Sequence, residues 1–344
     1  MSDQIEAHSA AGSDGGETAT GGLAVPLHKV SPFLFLGSLG FLVTTAVNQT
    51  LIQQMLAEWD PATKVANYSI ISLLGSFTQM IGSIVFGALS DRTTSRFGRR
   101  NPWILGGGLV ASSCIAAISF TDSFPVLLVF WLVGTSAVSA FTAPLAAIMP
   151  DRVAKNAMAR ASMIAGMGQM AALVLNGFIV AALLANAQAG LRIAAWPIAI
   201  AGVVVFFGAK DRQVAVEKNG GGIVEAFRAM RPPKSVDLYL ALIGRFFFML
   251  AINSLFLYQL YLLTDYIGAS TEVAGSAMAL FGVFLGVIGT ASSIASGILS
   301  DKWGRRKPFV YVASGTLALS FVPFLLSASV TSFYIWAALL GFSY

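Results

Sequence analysis

From about residue 30 onward the chain alternates long apolar runs with short polar breaks. The runs lie near 33–57, 67–89, 103–121, 125–149, 159–185, 192–209, 238–264, 274–299 and 309–328, and a tenth starts near 332. A helix needs roughly 20 apolar residues to cross about 30 Å of hydrocarbon, so the pattern predicts nine membrane-spanning helices. The tenth run meets Tyr344 after about 13 residues, short of a crossing, which reads as a chain cut inside its tenth helix. Residues 1–30 are small, polar and acidic, without the basic start and apolar centre of a signal peptide. They are expected to form a disordered cytoplasmic tail. The longest polar break, residues 210–236, divides a six-helix half at 31–209 from 237–344. The fold class expected is therefore all-α and polytopic, with an incomplete second half.

Charge sets the orientation. Of the 21 lysines and arginines, 18 fall on one side of the expected membrane. They are Lys29, a cluster from Arg92 to Arg100, a second from Arg152 to Arg160, the central break, and Lys302 to Lys307. Lys64 and Arg192 fall on the other side, and Arg245 lies inside the seventh run. Basic loops stay in the cytoplasm, so the N-terminus is expected there, in a cell-membrane protein. The pI of about 9.4 is then topological and faces anionic lipid, and no nucleic-acid partner is needed. With 56% hydrophobic and 11% charged residues and a mean hydropathy of +0.76, composition agrees. Cys114 stands alone, and His8 and His28 both precede the first run, so no intramembrane metal or haem site is expected. No nucleophile–base pair shares one depth, which argues against an enzyme or a cofactor.

Two segments repeat. "SDRTTSRFGRRNP" (Ser90–Pro102) and "SDKWGRRKP" (Ser300–Pro308) each follow the second helix of a half. Asp91 aligns with Asp301, Arg99–Arg100 with Arg305–Arg306, and Pro102 with Pro308. "VNQTLIQQMLAEWD" (Val47–Asp60) overlays "INSLFLYQLYLLTD" (Ile252–Asp265), matching Asn48 with Asn253. Both matches preserve orientation, the mark of a parallel repeat of six-helix halves.

"GILSDKWGRRKP" resembles the signature loop of the major facilitator transporters. The longer "GALSDRTTSRFGRRNPWI" is similar to that of the sucrose–proton and the glycoside–pentoside–hexuronide symporters, and "APLAAIMPDRVAKNAMARAS" (Ala143–Ser162) resembles the family's junction of helices four and five. The resemblance implies a major facilitator fold and secondary transport of a small solute, a sugar or glycoside, by alternating access. It also implies a cytoplasmic latch in which Asp91, Arg99 and Arg100 act with Asp151, and Asp301, Arg305 and Arg306 form the second copy. The family's Asp91 sits against the eleventh helix, and its Asp301 against the start of helix five. Rival readings are an exporter of amphipathic drug-like compounds and a non-transporting fragment. No obligate protein partner is expected.

Thr45, Gln49 and Gln53 form a polar face on the first helix, with Asn48 beside them, and the seventh offers Asn253, Ser254, Tyr258 and Tyr261. Amides and phenols suit a neutral polyol, so Asn48, Gln49, Gln53, Asn253 and Tyr258 are the candidate substrate residues. Their bland reading is hydrogen bonding between helices. Protons are the candidate coupling ion, yet no carboxylate or histidine stands at mid-depth: Asp60, Asp122, Asp265 and Glu272 lie at the outer boundary.

Overall fold

The computed structural model describes residues 26–154, 157–208, 236–303 and 307–343. Those residues fold into helices joined by short turns. In the first half these are α1 (Leu27–Trp59), α2 (Lys64–Arg92), α3 (Asn101–Ile118), α4 (Phe124–Arg152), α5 (Met158–Leu183), α6 (Ala187–Ala194) and α7 (Trp196–Gly208). In the second they are α8 (Val236–Tyr261), α9 (Thr271–Trp303), α10 (Lys307–Ser320), α11 (Val322–Leu326) and α12 (Val330–Ser343). Seven stretches are long and apolar enough to cross a membrane, one of them, Arg160–Gly208, running over the expected fifth and sixth spans. Leu238–Asn253 and Val330–Ser343 are shorter apolar helices. The expected tail up to residue 25 and the central break from 209 to 235 lie outside the described residues; from Leu27 the chain is already helical.

Two expected spans are broken, and proline explains both. The run at 309–328 stops at Ser320 and resumes as α11, because Pro323 has no N–H to continue the ladder. The run at 192–209 splits into α6 and α7, with Pro197 at the break. The Ile198 N–H freed there donates to Thr44 Oγ1 at 3.0 Å, which ties α7 to α1. Asn186 starts α6 by accepting from the Ala189 N–H at 3.0 Å, an N-cap.

In the first half α1 packs along α5 and α7, α3 along α4 and α7, and α2 along α4. In the second, α9 packs along α12, and α12 along α10. One apolar core runs through both halves, from Leu51 and Met55 on α1 to Phe281 on α9 and Trp336 on α12. A smaller one, with Ile104, Phe141 and Ile198 fully buried, fills the first half nearer the basic loops.

Candidate functional site

The basic signature loop is ordered by its own charges. Gly98 holds a φ of 100°, the left-handed region that a side chain strains, and turns the chain back toward α3. This brings Arg100 under the ends of α2 and α4. Its Nη2 lies 2.9 Å from Asp91 Oδ1 and its Nε 2.5 Å from Asp151 Oδ2, while Nη1 donates to Ser90 Oγ at 3.4 Å. Arg99 adds a second contact to Asp151 at 2.8 Å. The Arg100 side chain is only 6% exposed, so the guanidinium gives up water for these carboxylates. Four of the residues singled out in the sequence thus form one cluster, and every member belongs to the first half. Arg305, Arg306 and the side chain of Asp301 lie outside the described residues.

The halves meet at the opposite, far end of the bundle. Gln53 Nε2 donates to Leu257 O at 2.8 Å, and Tyr261 Oη donates to Gln53 O at 2.9 Å. Ser69 Oγ and Tyr258 Oη share a hydrogen bond at 2.7 Å. The Tyr68 ring packs edge-on to Tyr258 and Tyr261, with centroids 5.7 and 6.1 Å away. Lys64 Nζ closes the edge, 2.8 Å from Asp265 Oδ1 and 5.1 Å from the Tyr261 ring centre. Tyr258 leaves helical geometry (φ −119°, ψ 20°), and a wide turn over Leu262–Tyr266 follows. Tyr258 and Tyr261, three residues apart, share one face of α8 ahead of that wide turn.

Beside this crossing α5 and α9 come almost into backbone contact. A Cβ added at Gly177 would lie 2.6 Å from Met278 O, and one at Gly282 would collide with Leu173 O. Nearer the basic end the same two helices present exposed side chains, Met163 and Met167 on α5 and Val287, Ile294 and Ile298 on α9. Leu240, Ile243, Phe246 and Phe247 of α8 are exposed as well. The described contacts between halves therefore gather at the far end.

Of the five candidate substrate residues, the structure brings Gln53 and Tyr258 together at this crossing. Gln49, one turn before Gln53, is exposed. Asn253 is exposed too, and its amide donates back to Met249 O of its own helix at 2.8 Å. Asn48 does not join them. It lies five residues from Gln53, about 140° round the helix, on the side where Thr44 meets α7. There it is 1% exposed, and neither amide atom has a hydrogen-bond partner. Tyr68 and Ser69 were not singled out in the sequence, although Ser69 heads a polar stripe on α2 at helical spacing, Ser69, Ser72, Ser76, Gln79 and Ser83; their place opposite α8 reveals their role. Gln53 Oε1 and Tyr68 Oη are buried at the crossing without a hydrogen bond of full geometry. Past the end of α1, Asp60 accepts from Thr63 Oγ1 at 2.5 Å and from the Ala62 N–H at 3.0 Å. Thr63 first and then Ala62 hold its carboxyl below the usual carboxylate range.

The far-end ion pair has a direct test. Reversing Lys64 to Asp should raise labelling by an impermeant thiol reagent at a cysteine placed at Ala274, fully buried at this end. Adding Asp265→Lys should restore protection. Because Asp265 is 43% exposed, the effect should stay within about 1 kcal/mol, or fivefold in rate.

Two halves of long apolar helices, meeting at a neutral polar crossing and carrying matched basic loops, define a polytopic membrane carrier of solutes. The chain belongs to the Major Facilitator Superfamily, whose family model matches residues 31–344. Membership makes it a transporter rather than an enzyme. Similar solved structures include a bacterial homologue of the human lysosomal transporter Spinster, inward-facing and occupied, at 15% identity and TM-score 0.65, covering 93% of this chain and 73% of that one. A D-xylose–proton symporter matches at 15% identity and TM-score 0.62 over 92% and 80%. The nucleoside transporter NupG matches at 14% identity and TM-score 0.65 over 91% and 80%. At these identities the likeness is one of fold. No curated protein matches the sequence.

Proposed function

We propose that this transporter carries a small neutral polyhydroxylated solute, a sugar or glycoside, by alternating access across the cell membrane, with its N-terminus and basic loops in the cytoplasm. The observation that carries the solute class is the crossing of α1, α2 and α8. Gln53 Oε1 and Tyr68 Oη are buried there without good partners, among uncharged amide and phenol groups. Tyr68 Oη lies against the Gln53 and Ser72 side chains, so these groups are only partly satisfied, and a solute hydroxyl would complete a hydrogen bond worth about 0.5–1.5 kcal/mol. Tyrosine faces at the same place suit the apolar face of a sugar ring. Gln49 and Asn253, exposed on their helices, would meet the solute on its way.

The far-end contacts and the exposed α5, α8 and α9 surfaces support a state open toward the cytoplasm. In that reading the Arg99–Arg100–Asp91–Asp151 cluster is one side of a latch that engages the second half when the cytoplasmic end closes. Asp301, Arg305 and Arg306 are its proposed counterpart. Protons are the proposed coupling ion, with Asp60 or Asp265 at the far-end mouth as the proposed carboxylate.

Uptake of labelled mono- and disaccharides into vesicles, with and without a proton gradient, tests this reading. Accumulation of at least one sugar is expected, and Gln53→Leu should lower it about tenfold, the loss for one solute hydrogen bond plus its unpaired partner. If no sugar accumulates under any gradient, the proposal is wrong.

A further inference from the structure

A second site lies away from the crossing, on the outer wall of the first half. Helices α2 and α3 each pack on α4 rather than along each other. The space between them, floored by α4, is a groove of about 780 Å³. Its walls are Phe86 of α2 and Trp103, Gly106 and Val110 of α3, over Val133 and Ala140 of α4. The groove looks away from the centre of the bundle. Leu145 turns α4 toward α1, within 2.9 Å of where a Cβ on Gly37 would stand. Val133, Ser136 and Ala140 fall about 120–180° round from Leu145, on the opposite side of α4. Val110 and Val133 are nearly half exposed, at 46% and 47%.

The lining says what kind of molecule fits. Thr78 Oγ1 donates to Leu74 O at 2.9 Å, Thr93 Oγ1 to Leu89 O at 2.8 Å, and Trp103 Nε1 to Thr93 Oγ1 at 2.7 Å, which leaves Ser136 as the remaining hydroxyl of the lining. The other walls are apolar, which suits an acyl chain better than a hydroxylated solute. Along α2 the lining runs from Thr93 at the basic end back to Thr78, about 22 Å at 1.5 Å per residue, long enough to seat one extended acyl chain entering from the basic side. At the basic mouth Arg92 and Arg96 bracket Thr93, both exposed, with the Arg96 guanidinium 4.6 Å from the Phe97 ring centre. Arginines at this level attract anionic headgroups. We infer that the α2–α3–α4 groove is a binding site for an anionic phospholipid of the adjoining leaflet, with one acyl chain along α4 and the headgroup phosphate at Arg92 and Arg96.

Gly106 supplies the test, because a Cβ there meets nothing within 4 Å, so a larger residue fills the groove without disturbing the bundle. The full chain is equilibrated in vesicles of equal phosphatidylglycerol and phosphatidylcholine, extracted, and weighed by native mass spectrometry. One retained phosphatidylglycerol is expected, preferred over phosphatidylcholine about fivefold or more. Gly106→Leu should lower that adduct about tenfold, and Arg96→Gln should keep an adduct while bringing the two lipids toward parity. Val133→Trp is a second groove-filler, and both fillers are checked by unchanged gel-filtration profiles. A parent chain that retains no phospholipid, or an adduct that survives both fillers, overturns the site. Equal retention of the two lipids by the parent overturns the headgroup assignment.

Discussion

Gly177→Leu should force α5 and α9 apart and open the far end of the transporter. The added Cβ would stand 2.6 Å from Met278 O and 2.7 Å from Ala279 Cα, both backbone atoms that cannot rotate away. Overpacking of this kind typically costs about 1–3 kcal/mol, and here the cost falls on the close approach of α5 and α9 in this state. The closed far end should therefore lose about ten- to hundredfold in population against states that separate the helices. The readout is the rate at which an impermeant thiol reagent, applied at the far end, reacts with a cysteine placed at Ala274 after Cys114 is removed. That rate should rise at least about tenfold. Gly177→Ala should do the same to a smaller degree, because it adds the clash without the branched remainder. Gly166→Leu, two turns or more earlier on α5, is the control: a Cβ there meets nothing within 4 Å, so labelling should not change. Unchanged labelling in Gly177→Leu would show that the close approach of α5 and α9 does not hold the far end shut.

Arg100→Gln should be the most damaging change in the signature loop. It removes the cation shared by Asp91 and Asp151 and leaves Ser90 Oγ short of a donor. A fully buried pair broken this way costs about 3–5 kcal/mol. Asp91 is 56% and Asp151 32% exposed, and Arg99 remains on Asp151, so water and Arg99 absorb part of it. The expected loss is about 1–3 kcal/mol, seen as a fall of several degrees in the apparent unfolding midpoint of the purified protein at a fixed scan rate. Arg100→Lys should fall between, since one ammonium cannot span two carboxylates as a fork does. Asp91→Asn should cost less than Arg100→Gln, because a carboxylate more than half in water loses little when neutralised. If Asp91→Asn proved the worse of the two, the cluster would be organised around Asp91 and not around the buried guanidinium.

The charged loop was legible because it violates its surroundings. Basic residues are expensive beside hydrocarbon, so "SDRTTSRFGRRNP" and its shorter copy stand out, and their spacing carries the family resemblance. The sugar subgroup suggested by the four extra residues rests on that loop and belongs with the proposal. Gln53 and Tyr258 were legible as members of polar faces. Asn48 was grouped with them as the neighbour of the Gln49–Gln53 face and the repeat match of Asn253, and the structure sets it about 140° round α1 from Gln53. Tyr68 and Ser69 were illegible because their role depends on what stands opposite them.

What the sequence determines by itself is the solvent of each segment. Twenty apolar residues demand hydrocarbon and a lysine or arginine demands water, and both demands are local, so spans, loops and the two-fold repeat can be counted along the chain. The tertiary structure decides the rest. Glycines at 177 and 282 read as ordinary small residues until α5 and α9 are seen to cross there. Arg100 could have served either half, and only packing brings both carboxylates to it. The groove over α4 exists because α2 and α3 each choose α4 over one another. These are pairings between distant segments, and inside a bilayer, where any apolar helix face suits lipid as well as protein, close shape and hydrogen bonds select among them rather than hydrophobicity.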